Sequence, residues 1–382
     1  MSRPRFLLTS WQDFGAGSVQ SVHNLAEGLH ERGHDVRVAT PAGGVLGERL
    51  RRSGVPVVDF PFRRGWSPRN GRELAALVHR EKIDLIDAQE SRDRKAAILA
   101  RRFFGVRCPL VISRRQLSNT SLVQSWLYGR AADAVVGNSL GVAQSIRGVP
   151  LEKVCVVSSG YNTRRLGAAP AGEEVEALRR RLGFDPSLPT VGVVARRKDQ
   201  GALLRALAIL GRPVNVLLVG VERDAELARL EAGLPAGSRT AFTGFVAHPR
   251  PYWHLIEVKV LPSYNEGLPQ ALFEAMTLGI PVVSSIVGGT PEMIRHGENG
   301  FLFENGDDAA IARLVGTLLD DAGLRARFVE AGRRTALEEF TVAAFVERTA
   351  ALYEALLAGR PLPGRLSELD GSRGMSFARR TG

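Results

Sequence analysis

Short apolar runs alternate with segments of helical periodicity along most of this 382-residue chain, and the alternation occurs in two series. The first series opens with the apolar run 5–10, a Gly-containing loop, and a segment at 19–29 whose apolar residues recur at helical spacing. The apolar run 35–40 follows. Apolar strands separated by amphipathic helices are typical of a parallel sheet with helices on its faces. The alternation therefore predicts a chain built from β-α units.

The remaining apolar runs of the first series are VPVVDF, IDLIDAQ, PLVIS, ADAVVG and KVCVVSSG. The alternation stops over residues 161–187, where a loop, a charged helix and a Pro-bounded turn predict an interdomain region. The second series contains TVGVVAR, VNVLLVG, RTAFTGF, VKVLPS, PVVSS and FLF, and two helices are expected near 307–333 and 341–357. The pattern predicts two doubly wound parallel-sheet domains of the α/β class, which would bind ligands at the carboxyl ends of their strands and face each other across a cleft.

The predicted domain boundaries follow from these changes of pattern. We assign residues 1–163 to an N-terminal Rossmann-like domain and 164–340 to a C-terminal one. Residues 341–358 are expected to form a helix that packs back on the N-terminal domain. Residues 359–382 are polar, basic and rich in Gly and Pro, so we expect a disordered tail.

Charge and cysteine content restrict the classes of partner and the compartment. The net charge of +11 permits anionic partners, but no dense basic block with interleaved aromatic residues occurs, so nucleic acid is not expected. The two cysteines, Cys108 and Cys155, make no disulfide framework. There is no apolar run of about 18 residues and no signal-peptide pattern. These features predict a cytoplasmic protein.

The stretch SYNEGLPQALFEAM at 263–276 carries two carboxylates around a predicted helix start. Pro269 suits the first turn of that helix, and the backbone N–H groups near Gly267 and Leu268 would be free to bind an anion. Glu266 and Glu274 could accept hydrogen bonds from ligand hydroxyls. These features together describe a ligand with a phosphate and vicinal diols, such as a nucleotide sugar. The alternative is that Glu266 is an acid favoured by the helix dipole and Glu274 an ordinary surface residue.

The same region resembles a known family. Residues 262–303 resemble the donor-site region of the retaining GT-B glycosyltransferases of the group-1 or family-4 type, including the spacing of Glu266 and Glu274. Residues 191–207 resemble the segment that carries the phosphate-binding Arg and Lys of that family. Residues 156–162 resemble its hinge segment more loosely, and residues 15–38 resemble its first β-α unit. The resemblance implies a GT-B fold with an acceptor-binding first domain and a donor-binding second domain.

The resemblance implies a role for each matching residue. Glu266 would hold the sugar hydroxyls, and Glu274 the ribose diol. Arg196 and Lys198 would stabilise the departing diphosphate, with Arg197 an alternative to Arg196 and solvated surface charge the alternative for both. The expected catalytic residues are thus Arg196, Lys198 and Glu266, and the expected donor-binding residues are Gly15, Ala16, Gly17, Gly267, Leu268, Glu274 and Glu292.

Metal ions and cofactors are not expected. The sequence contains no Asp-x-Asp motif and no His/Cys cluster with the spacing of metal ligands. Two cations beside the diphosphate would take the place of a metal, since both stabilise negative charge that develops on the leaving group.

The first domain departs from the family where many members carry histidines. The corresponding segments are 87–92 and 113–116, and the acceptor-side residues in or beside them are Gln89, Arg92, Arg114 and Arg115. The arginines suggest an acceptor with phosphate or carboxylate groups, such as a lipid-linked glycan or a lipopolysaccharide core. The basic first domain could dock peripherally on the anionic inner face of the membrane, and an ordinary solvated surface is the alternative.

The sequence thus predicts a retaining glycosyltransferase that moves a sugar from a nucleotide-sugar donor to a bacterial envelope glycan. One alternative is a sugar-nucleotide epimerase or hydrolase on the same fold. Another is a serine hydrolase, because the segment 137–141 fits G-x-S-x-G; the competing interpretation of Ser139 is a helix N-cap. A non-catalytic nucleotide-sugar-binding protein is a third.

Overall fold

The structure, a computed structural model, describes residues 3–12, 17–117, 121–166 and 168–369. The predicted donor-binding residues Gly15 and Ala16 and the tail residues 370–382 lie outside the described residues. The chain divides into two compact units. The first contains Met1–Gly160 and Val342–Gly382, and the second contains Tyr161–Thr341. The boundaries predicted from the sequence lie at 163/164 and 340/341.

Within the described residues, the first unit has seven short strands. They are β1 (Arg5–Thr9), β2 (Asp35–Thr40), β3 (Val57–Asp59), β4 (Leu85–Ala88), β5 (Leu110–Arg114), β6 (Ala134–Gly137) and β7 (Val154–Val156). The helices that alternate with them are α1 (Gly17–Glu31), α2 (Val45–Arg52), α3 (Pro68–Glu81), α4 (Ser91–Phe103), α5 (Leu122–Ala131) and α6 (Leu140–Gln144).

The strands of the first unit pair in parallel in the order β3-β2-β1-β4-β5-β6-β7. Successive residues of β1 point to opposite faces, and each face has its own buried core. Leu7 packs with Leu74 of α3 and Ala97 of α4 on one face, whereas Leu8 packs with Leu25 of α1 on the other. The order reverses between β1 and β4, which makes their carboxyl ends a topological switch point.

The second unit repeats the design over the described residues with six strands. They are β8 (Thr190–Val194), β9 (Asn215–Val219), β10 (Arg239–Phe242), β11 (Val258–Leu261), β12 (Val282–Ser285) and β13 (Phe301–Phe303). Its helices are α7 (Gly172–Arg181), α8 (Gln200–Leu210), α9 (Ala225–Glu231), α10 (Arg250–Trp253), α11 (Gln270–Leu278), α12 (Thr290–Met293), α13 (Asp308–Asp320) and α14 (Ala322–Glu339).

The second sheet is parallel, in the order β10-β9-β8-β11-β12-β13. Its order reverses between β8 and β11. The loop after β8 carries Arg196 and Lys198, and the loop after β11 carries Glu266, so the switch point brings two distant segments of sequence to one edge. The prediction of two doubly wound parallel-sheet α/β domains is confirmed.

The helix predicted near 307–333 is two helices in the structure. Asp321 interrupts the run because its side chain accepts a hydrogen bond of 2.8 Å from the backbone N–H of Leu324 and caps the start of α14. This aspartate is a strong N-cap residue, and the cap makes a new helix start more favourable here than continuation of α13.

The last described segment belongs to the first unit. Helix α15 (Val342–Leu357) packs on α1, where a Cβ added at Gly28 would lie 2.5 Å from the side chain of Val346. This close approach explains the glycine in the middle of α1.

The expectation of a disordered tail is wrong for residues 359–369. The backbone N–H of Val156 in β7 donates to the Gly364 carbonyl at 2.9 Å, and Leu366, in the short helix α16 (Leu366–Leu369), is 5% exposed. The segment covers β7, which ends the sheet. Composition predicted disorder because the segment is polar, but one buried leucine and one backbone hydrogen bond to an edge strand hold it in place.

Candidate functional site

A loop at the carboxyl end of β11 leads into α11 and forms the centre of the candidate site. Gly267 and Leu268 are buried in this loop. Within the part of the chain that the structure describes, the N–H groups of Leu268, Gln270 and Ala271 donate to no protein acceptor. Free N–H groups and the positive end of a helix dipole together favour an anion, as the sequence predicted.

The structure brings Lys198 and Glu266 together. The Lys198 Nζ lies 2.9 Å from the Glu266 Oε1, and their side chains are 28% and 13% exposed. The Lys198 ammonium also donates to the carbonyl of Asn265 at 3.3 Å. The ion pair is therefore partly withdrawn from water but open to a ligand, and it places a cation beside the free N–H groups.

The loop after β8 distinguishes its two arginines. Arg197 forms ion pairs with Asp224 and with Glu226, the latter at 2.7 Å. Arg196 is exposed and makes no ion pair with any described residue. Its backbone is held in place because the Gln200 side chain donates to the Arg196 carbonyl at 3.0 Å. Of the two, Arg196 is the cation that an anionic ligand could engage without breaking a salt bridge.

A third loop, between β12 and α12, touches the first. The N–H of Gly289 donates to the carbonyl of Gly267 at 2.6 Å. Gly288 has a φ of +53°, and a Cβ at this position would lie 1.9 Å from the Glu266 carbonyl oxygen. Only glycine allows the two loops to approach so closely. Glu292 lies half-buried in α12, two residues after Thr290 begins that short helix.

Glu274 lies in the second turn of α11 and is half-buried. Its Oε1 accepts a hydrogen bond of 2.7 Å from the Gln270 side chain one turn earlier. Neighbouring positions Leu272 and Phe273 are buried in the core, so the helix presents its polar stripe and its apolar stripe on different sides. The predicted contact of Glu274 with a ribose diol stays a prediction.

Sequence reasoning missed two residues next to this site. Lys259 lies inside β11 and is fully buried, and burial lowers its pKa to about 7 while Glu266 and Glu274 oppose the shift. A lysine within the apolar run VKVL was a visible signal. Tyr161 donates from its hydroxyl to the Leu268 carbonyl, and its ring stacks on Phe273 with centroids 4.7 Å apart. No sequence pattern indicated that tertiary contact.

The predicted acceptor-side residues lie at the carboxyl ends of β4 and β5 in the first unit. The Arg115 guanidinium donates to the Gln89 side chain, and Gln89 is 1% exposed. Arg92, in the first turn of α4, stacks over Trp11 with its guanidinium carbon 3.8 Å from the ring centroid. Arg114 is buried and lines a small pocket, and burial lowers its pKa to about 10.

Buried polar atoms are concentrated at this edge of the first sheet. The Gln89 Nε2, the Asp93 Oδ1 and the Asn138 Oδ1 are buried and have no hydrogen-bond partner among the residues that the structure describes. Burial raises the pKa of Asp93 to about 8, with Glu90 adding to the shift. Unsatisfied buried groups are rare in proteins and call for an explanation such as water or a ligand. The edge is therefore suited to a ligand rich in hydroxyl groups.

The remaining predicted candidates are placed as follows. Gly17 is the exposed first residue of α1. Ser139 is fully buried and its hydroxyl accepts from the N–H of Val142 at 3.1 Å, so it caps α6, as the N-cap interpretation predicted.

Among the described residues, no group of three or more His, Cys, Asp or Glu could hold a metal ion. No described helix combines the length and apolar character that a membrane span requires.

Two family models match the sequence. Residues 15–165 match the Glycosyltransferase Family 4 model, and residues 175–335 match the Glycosyl transferases group 1 model.

Individual proteins with similar sequences support the same family. The chain is 30% identical over 238 residues to the lipopolysaccharide core biosynthesis glycosyltransferase LpsE of Rhizobium meliloti, covering 61% of this chain and 66% of LpsE, which is just under two thirds of its length. It is 30% identical over 268 residues to the alpha-maltose-1-phosphate synthase of Mycolicibacterium smegmatis, covering 64% of this chain and 69% of that protein.

A solved structure shares the fold. Anabaena Alr3699/HepE in complex with UDP-glucose superposes with a TM-score of 0.75 at 24% identity, covering 91% of this chain and 98% of HepE. Together, the two family matches, the relatives and the two parallel sheets show that this chain belongs to the group 1 glycosyltransferases with the GT-B fold.

Proposed function

We propose that this protein is a retaining glycosyltransferase that takes a sugar from a nucleotide-sugar donor bound to its second unit. The observation that carries the proposal is the Lys198–Glu266 ion pair of 2.9 Å beside the free N–H groups at the start of α11. This arrangement offers a cation and N–H donors to a diphosphate and a carboxylate to sugar hydroxyls. Family membership and the fold shared with HepE, which was solved with UDP-glucose, support the same conclusion.

In the proposed reaction, the bond between the anomeric carbon and the diphosphate oxygen breaks. The acceptor oxygen bonds to that carbon on the same face, and the acceptor proton passes to an oxygen of the leaving phosphate. Arg196 and Lys198 stabilise the charge that grows on the diphosphate, a contribution worth about 3–4 kcal/mol for a single well-placed donor. Glu266 orients the donor sugar, while Glu274 and Glu292 hold other hydroxyls of the donor. No metal ion is needed, because these cations supply the countercharge.

The donor is tested by a thermal-shift screen of UDP-, GDP- and ADP-sugars in EDTA, starting with UDP-glucose. A ligand that binds only the folded protein raises its stability by about 2.7 kcal/mol at a hundredfold excess over Kd. We expect one nucleotide class to raise the Tm of the wild type and of Arg197→Ala, and to lose most of its effect in Glu274→Ala. Equal shifts in Glu274→Ala and the wild type would overturn the assignment of Glu274, and no shift with any donor would overturn the proposal.

We further propose that the acceptor is an anionic glycan of the bacterial envelope, such as a lipopolysaccharide core. LpsE, a relative at 30% identity, is a lipopolysaccharide core enzyme by name. Arg92 and Arg115 lie half-buried at the edge of the first sheet and could meet a phosphate or carboxylate, with Gln89 beside them and Arg114 behind them. Transfer to phosphorylated acceptors should fall at least tenfold in Arg115→Ala. Efficient transfer to neutral acceptors only, with Arg115→Ala silent, would contradict this assignment.

Peripheral contact with an anionic membrane is proposed through the outer face of α5. Val123 and Trp126 are 67% and 52% exposed there, and the Arg130 guanidinium carbon lies 4.6 Å from the centroid of the Trp126 ring. An exposed apolar pair with an arginine beside it suits the headgroup region of a bilayer.

Vesicle sedimentation tests this membrane contact. We expect the wild type to bind vesicles with anionic lipid more strongly than neutral ones, and Trp126→Ser to bind less. Phe245→Ser, which removes an exposed aromatic residue of the second unit, should have no effect. Equal binding by the wild type and Trp126→Ser would refute the role of α5.

A further inference from the structure

The chain passes from the first unit to the second at residues 160 and 161, and both residues are firmly held within their own unit. On the first side, the Asn24 side chain in α1 donates to the Gly160 carbonyl at 3.1 Å. The Ser21 hydroxyl donates to the Ser159 hydroxyl at 3.2 Å. Asn24 and Ser159 are nearly fully buried. The residues of the first unit that lie just before this crossing are therefore fixed to α1.

On the second side, Tyr161 is anchored by three contacts. Its backbone N–H donates to the Phe340 carbonyl at 2.9 Å. Its ring stacks on Phe273 of α11, with an interplanar angle of 27°. Its hydroxyl donates to the carbonyl of Leu268 in the loop that precedes α11. A single peptide bond thus separates a residue fixed to α1 from one fixed to the candidate donor loop.

The hydrogen bond from the Tyr161 hydroxyl holds the part of the loop whose N–H groups would bind an anion. The Leu268 carbonyl belongs to the peptide that joins Leu268 to Pro269, immediately before the free N–H of Gln270. Rotation of that peptide would change the direction in which the first N–H groups of α11 point. Burial, with smaller contributions from Glu266 and Glu274, raises the pKa of Tyr161, so its hydroxyl stays protonated and remains a donor.

We propose that Tyr161 is a positioning residue for the donor site, and that its hydroxyl fixes the Leu268 carbonyl so that the N–H groups at the start of α11 face the donor diphosphate. This inference rests on the proposed function for the identity of the ligand, but not for the ordering of the loop. Tyr161 is also the first residue of the second unit, so the residue that orders the loop lies at the point where the chain enters this unit.

The competing explanation is that Tyr161 only packs on Phe273. The variant Tyr161→Phe separates the two, because it keeps the ring and removes the hydroxyl. Tyr252→Phe is the matched control, since Tyr252 lies in α10 of the same unit and its hydroxyl accepts from Arg181 at 3.4 Å. A second variant, Tyr161→Leu, removes the stacking as well.

The first measurement is amide hydrogen exchange of the ligand-free protein, followed by mass spectrometry. We expect Tyr161→Phe to raise the exchange of Leu272, Phe273 and Gly289 about fivefold or more, as loss of one hydrogen bond predicts. Tyr252→Phe should leave those amides unchanged. Unchanged exchange in Tyr161→Phe would overturn the proposal, whatever the protein binds.

The second measurement is the affinity for UDP and for the nucleotide sugar that stabilises the wild type. We expect Tyr161→Phe to weaken both about fivefold, with a Tm within 2–3 °C of the wild type. Tyr161→Leu should lower the Tm further. If the wild type binds no nucleoside diphosphate, the proposed function fails, and the exchange result alone decides whether Tyr161 orders the loop. A lower Tm in Tyr161→Leu, with exchange and affinity unchanged in Tyr161→Phe, would overturn the proposal and leave packing as the only role of Tyr161.

Discussion

The contact between the two loops of the donor site makes Gly288→Ala the most informative single substitution. The added Cβ would lie 1.9 Å from the Glu266 carbonyl oxygen and 2.8 Å from its carbonyl carbon. An unstrained contact between carbon and oxygen needs about 3.3 Å, so the loops must separate by roughly 1.4 Å. That separation breaks the 2.6 Å hydrogen bond from Gly289 to Gly267 and displaces Glu266 from Lys198.

Gly297→Ala is the matched control. Gly297 also has a positive φ, +82°, but an added Cβ there would meet no atom of the described residues within 4 Å. The left-handed conformation alone costs alanine about 1–2 kcal/mol. Gly288→Ala carries the same cost and in addition a clash worth about 1–3 kcal/mol and a lost hydrogen bond worth about 1 kcal/mol. The two variants should therefore differ by about 2–4 kcal/mol in the free energy of unfolding.

Differential scanning calorimetry and nucleotide titration check this prediction. Each kcal/mol shifts the Tm of a domain of this size by about 2–4 °C, so Gly288→Ala should melt at least 4 °C below Gly297→Ala. At a temperature below both melting transitions, Gly288→Ala should bind the nucleoside diphosphate that the wild type binds at least tenfold more weakly than Gly297→Ala does. Equal melting temperatures and equal affinities for the two variants would refute the close contact of these loops and its role in the site.

Three further predictions follow from single contacts. Arg196→Ala should raise the Kd for the nucleoside diphosphate about tenfold, because it removes a charged donor. Arg197→Ala should change this Kd less than twofold. Calorimetric titration of the two variants measures the difference. The pKa of Asp93 is raised to about 8 in the folded protein, so between about pH 4 and pH 8 the folded state binds a proton that the unfolded state has released. This proton binding stabilises the folded state at low pH, and the free energy of unfolding therefore falls as the pH rises towards 8. Urea unfolding at pH 5–8 should show a decline of at most about 1.4 kcal/mol per pH unit in the wild type and a flatter profile in Asp93→Asn. Leu366→Ala should lower the free energy of unfolding by about 2–4 kcal/mol, because it removes a buried side chain. Ser367→Ala, at an exposed position, should lower it by less than about 0.5 kcal/mol. Equal losses in the two variants would mean that the C-terminal segment does not cover β7.

The fold followed from local physical signals. The central strands of the parallel sheets are buried on both faces and so are nearly continuous apolar runs, as TVGVVA and VKVL show. Predictions failed where one contact outweighed composition. Asp321 starts a new helix by capping it, and Leu366 holds a polar segment against an edge strand.

The candidate site was predictable to the extent that its residues follow strands. Glu266 and Lys198 each lie in a loop at the end of a buried strand, and the sheet order brings those loops together. The choice between Arg196 and Arg197 needed the structure, because only the positions of Asp224 and Glu226 distinguish them. Tyr161 could not be found, since its partner Leu268 is 107 residues away and no periodic pattern connects them.

The proposed function requires that the diphosphate of a nucleotide sugar binds beside the Lys198–Glu266 pair. Isothermal titration of UDP, GDP and ADP in EDTA, into the wild type, Lys198→Ala and Arg197→Ala, tests it most directly. We expect at least one diphosphate to bind the wild type and Arg197→Ala with similar affinity, and to bind Lys198→Ala at least tenfold more weakly. Equal affinity in Lys198→Ala, or no binding of any diphosphate to the wild type, would contradict it.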